Sequence, residues 1–326
     1  MTAKKSTPTR SRTSAAQSKR AKTKNVRSLH QRWLHLPLAQ RIETVLASLV
    51  AIILVLALII TGLKFLGYQV HVSDVRQHQD QSDHIYGFNP GEIITDSHFF
   101  DTTSMNEDDV QVFLNQKGVQ CTAQTTKDSE PCLKNYKVDT PSKPADDLCD
   151  AYQGSTNQSA AAIIDGAARS CGVSQKVLLT MLQKEQHLVS AVSPTHIQYK
   201  AAMGLSCPDD ASCDPQYAGF FNQVYGAAQR YRYYQKHMDN YQFKPGRINQ
   251  VRYSPDASCG SSDVYIENVA TALLYIYTPY QPNTAALRAG TGEGDSCSAY
   301  GNRNFAIIYN GWFNQTQSQN TGSQHQ

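Results

Sequence analysis

Val177-Leu178-Leu179-Thr180-Met181-Leu182-Gln183-Lys184-Glu185-Gln186-His187-Leu188-Val189 is the stretch on which the reading of this chain turns. Leu178, Met181, Leu182, Leu188 and Val189 recur at helical spacing and form one apolar face. At about 100° per residue, Glu185 falls near the middle of that face rather than on its edge. A carboxylate on an apolar stripe loses water, which favours its neutral form. A carboxyl group still protonated near neutral pH is what general-acid cleavage of a glycosidic bond requires. The plainer reading places Glu185 at a solvated helix tip emerging from the core.

The surrounding pattern is mostly helical. Ser159–Ser170 reads as a helix that ends at Gly172, and Ser174 caps the Glu185 helix. Asp214 as N-cap with Pro215 at the first helical position opens another helix, with Phe221, Val224, Tyr225, Ala228 and Tyr231 as its stripe. Gly219 and Gly226 are expected to let a neighbouring helix approach. Tyr241–Ser254, with Pro245-Gly246 inside it, reads as a hairpin or irregular lobe. Ser262 is expected to cap a helix through Ile266, Val269, Ala270 and Leu273. A last helical turn or two holds Phe305, Ile308 and Trp312. The class is mainly α (α+β), with a small β or loop insert.

Charge divides the chain of 326 residues. Residues 1–43 hold eleven Lys/Arg and one acid, Glu43, and the remainder holds 19 basic and 26 acidic residues. The basic segment 1–43 is expected to be a disordered cytoplasmic tail. Val45–Leu63 is a run of nineteen uncharged, mostly apolar residues, long enough for a single transmembrane helix over 44–66. The basic flank places the N-terminus in the cytoplasm and everything after Lys64 outside, as a single-pass protein of the cell membrane. A cleaved signal peptide is the competing reading, but the run exceeds a usual apolar region and no A-x-A site follows. The tail reads as a topology signal that favours anionic lipid, not as a nucleic-acid site.

All eight cysteines follow the anchor, as expected for disulfides in an oxidising compartment. Neighbour order suggests Cys121–Cys132, Cys149–Cys171, Cys207–Cys213 and Cys259–Cys297. No Cys/His spacing suggests zinc. Residues 67–85, with His71, His78 and His84, read as a solvated stalk rather than a metal site. Residues 86–146 read as a small α-rich subdomain with a helix capped by Ser104 and a linker from Asp139 to Asp147. The main domain spans 147–314, and 315–326 reads as a disordered tail.

Several motifs resemble known families. The Glu185 helix resembles the catalytic helix of lysozyme-like lytic transglycosylases. Ala201-Ala202-Met203-Gly204-Leu205-Ser206-Cys207 matches the Ala-x-Gly-Leu core of their second motif, with Cys207 where the family has Gln. Ala272-Leu273-Leu274-Tyr275-Ile276-Tyr277 matches their Ala-rich helix, and either Tyr275 or Tyr277 is the tyrosine near the glutamate. Phe88-Asn89-Pro90-Gly91, Gln183-Lys184-Glu185-Gln186, Gly219-Phe220-Phe221-Asn222-Gln223-Val224-Tyr225, Tyr277-Thr278-Pro279-Tyr280-Gln281-Pro282-Asn283 and Ser298-Ala299-Tyr300-Gly301-Asn302-Arg303-Asn304-Phe305 resemble exported Gram-positive proteins, some labelled haemagglutinin-like.

The resemblance implies a lysozyme-like exported domain that cleaves peptidoglycan glycan strands, with Glu185 as general acid and Gly204, Leu205 and Tyr275 or Tyr277 at the substrate. It implies no cofactor. Transglycosylation needs no second carboxylate, whereas hydrolysis generally does. The acids in view are Asp209, Asp210, Asp214, Asp263 and Glu267. Asp214 is also a natural N-cap, and the loop lacks the ligand pattern of an EF-hand. His187 and His196 have no Ser or Cys nucleophile at motif spacing. The alternatives are a non-catalytic wall-glycan binder or surface adhesin, and a disulfide-braced structural ectodomain. Oligomeric state is left open.

Overall fold

The computed structural model describes residues 33–34, 36–207 and 213–314. The chain divides into two units, 1–70 and 71–326. Most of the expected basic tail and all of the expected tail at 315–326 lie outside the described residues.

In the first unit the chain is helical from Leu38, so the end of the tail expected over 1–43 is already ordered as helix. Helix α1, Leu38–Tyr86, has a mean hydropathy of 3.0 over its most apolar window, none of it buried. By length and composition it is able to cross a membrane. Ser48 Oγ donates to the Thr44 carbonyl at 2.7 Å and Thr61 Oγ1 to the Ala57 carbonyl at 2.8 Å. Those bonds return the two hydroxyls to the helix backbone, as an apolar surrounding demands.

The second unit corrects the stalk. Residues 71–86 are the continuation of α1, not an extended spacer, and Val72, Val75 and Gln79 are buried. Gln79 donates to the Tyr265 carbonyl and accepts from the Tyr265 N–H at 2.7 Å. Arg76 makes a two-pronged ion pair with Glu267 and lies over the Tyr265 ring, 4.3 Å from its centroid. His71 Nε2 is 2.9 Å from Asp263 Oδ2. The polar residues that suggested solvent are thus partners of a hairpin nearly two hundred residues away.

Helix α2, Asp96–Phe99, and helix α3, Glu107–Lys117, follow. Asn106, not Ser104, caps α3 through a reciprocal box with Asp109. These helices are not a separate subdomain. Phe88, Phe99, Val110 and Leu114 belong to the apolar cluster that runs on through Tyr309. The expected linker is ordered as well. Strand β1, Lys137–Val138, pairs antiparallel with β2, Gln158–Ser159, and Lys143 bridges to Tyr152.

Ser159 caps α4, Ala160–Cys171, by accepting from the Ala162 N–H at 3.0 Å, and Gly172 closes it in the left-handed conformation. The buried face of α4 is Ala160, Ala161, Ile163, Ile164, Ala167 and Ala168, small enough for α3 and α7 to pack against it. Ser174 caps α5, Gln175–Gln186. Val177, Leu178, Met181 and Leu182 of α5 have no exposed surface. Each such leucine stabilises the fold by about 1.5–3 kcal/mol.

A short helix α6, His196–Lys200, precedes the Cys207–Cys213 loop. Asp214 caps only the 3-10 turn Pro215–Tyr217, and α7, Phe220–Lys236, begins after Gly219. The hairpin lies further along than expected. Strand β3, Arg247–Arg252, pairs antiparallel with β4, Ser261–Ile266, with Arg247 opposite Ile266 and Arg252 opposite Ser261. Ser262 therefore lies in a strand and caps no helix. Val264 and Ile266 alternate inward with period two, which the helical expectation overlooked. Asn268 caps α8, Val269–Tyr277. Helices α9, Thr284–Arg288, and α10, Gly301–Phe313, complete the described residues, and α10 packs on α5.

Four disulfides join the cysteines in neighbour order, Cys121–Cys132, Cys149–Cys171, Cys207–Cys213 and Cys259–Cys297. Among the described residues the architecture is mainly helical with two small sheets.

Candidate functional site

Helix α5 carries its apolar face out of the core in its last turn. His187 ends the helix with φ of 52°, its N–H bonded to the Gln183 carbonyl. Glu185 sits in that turn, one turn beyond the fully buried Met181 and Leu182, with its side chain 24 % exposed. It is not a carboxyl isolated among apolar groups. Lys184 Nζ lies 2.7 Å from Glu185 Oε1, and the Lys184 side chain is only 6 % exposed. Lys184 also donates to Thr278 Oγ1 at 3.1 Å and lies near the Tyr277 ring, 5.8 Å from its centroid. The desolvation expected from spacing alone is thus answered by a buried ammonium group.

The loop after α6 meets the carboxylate. Gly204 has φ of +67°, a conformation that side chains disfavour. A Cβ there would come within 3.1 Å of Glu185 Oε2. The absent side chain lets the backbone lie against the carboxylate. Leu205, expected at the substrate, is buried and packs on Gly226, where a Cβ would come within 2.7 Å of Leu205 Cδ2. Gly226 therefore admits this loop, not a neighbouring helix, and Gly219 (φ +96°) serves as the residue before α7.

Gln223 holds the loop in place. It is fully buried on α7; its Oε1 accepts from the Met203 N–H at 3.0 Å and the Leu205 N–H at 3.1 Å. Its Nε2 donates to the Leu205 carbonyl at 2.9 Å and the Tyr217 carbonyl at 2.8 Å. The loop is braced by this amide as well as by the Cys207–Cys213 bridge.

The two candidate tyrosines separate. Tyr275 is fully buried beside Phe243 and donates to the Pro90 carbonyl at 2.9 Å, so it belongs to the core. Tyr277 lies on the Glu185 side and donates to the Met203 carbonyl at 2.6 Å. Its ring stacks on Tyr231 with centroids 5.1 Å apart. Burial, and next in Tyr277 the Glu185 charge, push both phenols well above the ordinary tyrosine range. Both remain neutral hydroxyls across the working pH range.

The remaining candidate acids among the described residues do not converge here. Asp214 accepts from the Gln216 N–H as a cap, Asp263 meets His71, and Glu267 is held by Arg76. Asp209 and Asp210 lie outside the described residues. His187 is an exposed helix cap, and His196 is engaged by Glu130. No group of three or more His, Cys, Asp or Glu side chains able to hold a metal occurs among the described residues.

The sequence reading singled out Glu185, Gly204 and the Tyr275/Tyr277 pair, of which the structure brings Glu185, Gly204 and Tyr277 together. The sequence reading gave no role to Lys184, Thr278 or Gln223. Lys184 was visible only as part of Gln183-Lys184-Glu185-Gln186, and a lysine between two polar residues carries no sign that its stem is buried. Gln223 falls well off the Phe221–Tyr231 stripe of α7, so the spacing gave no sign that its amide is buried.

Comparison with known proteins adds a family. No curated protein and no solved structure matches the chain. The match is not to a lysozyme-like or haemagglutinin-like family: the family model described as "LasA, N-terminal domain" matches residues 92–324, well over half of the 326. The chain belongs to the LasA N-terminal domain family.

Proposed function

We propose that this chain is a membrane-anchored protein that acts outside the cell on peptidoglycan. In this reading it cleaves the β-1,4 bond between N-acetylmuramic acid and N-acetylglucosamine, with Glu185 as proton donor. The family, the four disulfides and the apolar helix fit an exported protein working at the cell wall. The basic residues before the helix favour a cytoplasmic N-terminus.

One observation carries the catalytic reading: the Glu185 carboxylate emerges from a helix end against the bare backbone of Gly204, with Tyr277 fixing the same loop. Glu185 gives its proton to the leaving oxygen as the glycosidic bond breaks. The carboxylate so formed faces the Lys184 ammonium, which favours the ionised form that the next step requires. That carboxylate then takes the proton of the muramyl hydroxyl as the hydroxyl oxygen closes on the anomeric carbon. This route ends in an anhydro sugar and asks for no second carboxylate. It suits a site whose other described acidic candidates, Asp214, Asp263 and Glu267, are engaged elsewhere.

A second reading is favoured by the Lys184–Glu185 pair itself. A carboxylate already matched by a buried ammonium, with loop backbone beside it, is also suited to holding a glycan without cleaving it. Incubation of the purified protein with peptidoglycan decides between them. Release of soluble muropeptides supports cleavage, and retention of the protein on an intact wall polymer without release supports binding alone.

A further inference from the structure

A concavity lies away from the residues around Glu185. A groove of about 790 Å³ is formed between residues 71–90, the β3–β4 hairpin and the start of α9. Its volume falls within the roughly 300–1,000 Å³ of small-ligand sites.

The lining is chemically selective. Asp74 and Asp263 contribute carboxylates, each beside a histidine that also lines the groove, His78 at 3.9 Å and His71 at 2.9 Å, while no lysine or arginine does. Phosphate-bearing or carboxylate-rich ligands would meet these carboxylates with no lysine or arginine to answer them. Gln81 and Gln250 offer amide donors and acceptors, and Ser82, Ser261 and Thr284 offer hydroxyls. Tyr86 and Tyr253, both half-buried, supply apolar ring surface with a polar tip. Such a mixture suits an uncharged chain that presents many hydroxyls, some amides and flat apolar faces.

The walls are fixed before any ligand arrives. Gln79 joins the helix wall to the Tyr265 backbone. Gln281 Nε2 donates to the Val251 carbonyl and to Ser262 Oγ, both at 2.8 Å, and so secures the hairpin wall. A preformed groove spends little binding free energy on ordering.

We propose that this groove is a non-catalytic subsite for an uncharged β-1,4-linked N-acetylhexosamine chain, gripping the glycan at a place distinct from Glu185. The choice of sugar rests on the proposed function; the existence and charge of the groove do not.

The test uses the full chain in detergent micelles, carrying Glu185→Gln so that the proposed cleavage is blocked, with chitohexaose as the probe in calorimetric titration. Two variants are added separately: Tyr253→Ala, which removes a ring face, and Thr284→Trp, which fills the groove from an exposed position. Each is expected to weaken chitohexaose binding at least about tenfold while leaving the unfolding transition in place. Unchanged binding in folded Thr284→Trp overturns the proposal, as does absence of chitohexaose binding in the parent. Selective loss of a stem-peptide probe, with chitohexaose unaffected, also overturns it by assigning the groove to peptide. Muropeptide release by the chain with Glu185 intact is read separately, so failure of the cleavage reading is distinguishable from failure of this one.

Discussion

Lys184 and Glu185, consecutive residues on α5, meet through their side chains at 2.7 Å. Neighbours in a helix diverge by about 100° and do not ordinarily face each other. Here the lysine stem is buried and its ammonium is also held by Thr278, so the charge is returned toward the carboxylate. This pair sets the character of the site more than the apolar stripe does.

Lys184→Met keeps the stem's bulk and removes the charge. If the ammonium stabilises the carboxylate left after proton donation, muropeptide release should fall by about 10²-fold, the order seen when one preorganised stabilising donor is removed. Lys184→Arg should recover part of the loss. Initial rates of release from purified peptidoglycan check this, with circular dichroism to confirm folding. Unchanged rates in folded Lys184→Met would leave the lysine a structural role only.

Gln223→Leu should be costly to stability. The amide satisfies two N–H groups and two carbonyls in and beside the 203–205 loop. An unsatisfied buried group costs about 1–3 kcal/mol, partly relieved if water enters. A loss of about 3 kcal/mol in urea unfolding is expected, with faster amide exchange across 201–207 than across α4.

Gly204→Ala should affect the site more than the fold. The residue's φ of +67° disfavours a side chain, and the new methyl would press on Glu185 Oε2. A destabilisation of about 1 kcal/mol should accompany a larger loss of activity, measured on the same preparation.

His196 links α6 to the Cys121–Cys132 loop. Its hydrogen bond to Glu130 raises its pKa above the ordinary imidazole value. A raised folded-state value means that the stabilising contribution is fully present below the unfolded pKa of about 6.5 and is lost as pH rises through the folded value. The pair is exposed, so the effect should be local. Imidazole NMR should show the raised titration, and His196→Ala should remove the pH dependence of amide exchange at Lys127 and Glu130.

The parts of the fold that were legible in sequence are those whose cause is local. Ser159 and Gly172 bracket α4, and Ser174 opens α5, because a cap acts within a few residues of its helix. The disulfides follow neighbour order, but with separations from 6 to 38 residues the sequence alone left their connectivity open. The parts that were missed depend on distant partners. Arg76 and Gln79 look like solvent-facing residues until Glu267 and Tyr265 come alongside. Ser262 looks like a cap until the alternation of Val264 and Ile266 is recognised as a strand. Within the site, the spacing placed Glu185 on the correct face, but burial of the Lys184 stem was not written in any local period.

The central claim is that Glu185 donates the proton that breaks the glycan strand, and Glu185→Gln tests it most directly. Gln preserves shape and cannot donate, so the chemical step should slow by about 10²-fold or more. The carboxylate's removal leaves Lys184 without its nearest anion, so a stability change of about 1–2 kcal/mol is expected, well short of unfolding. The measurement is the mass of muropeptides released from peptidoglycan by the unmodified chain and by folded Glu185→Gln, side by side. The account predicts anhydro-muramyl ends from the first and almost none from the second. Equal release by both proteins would contradict it.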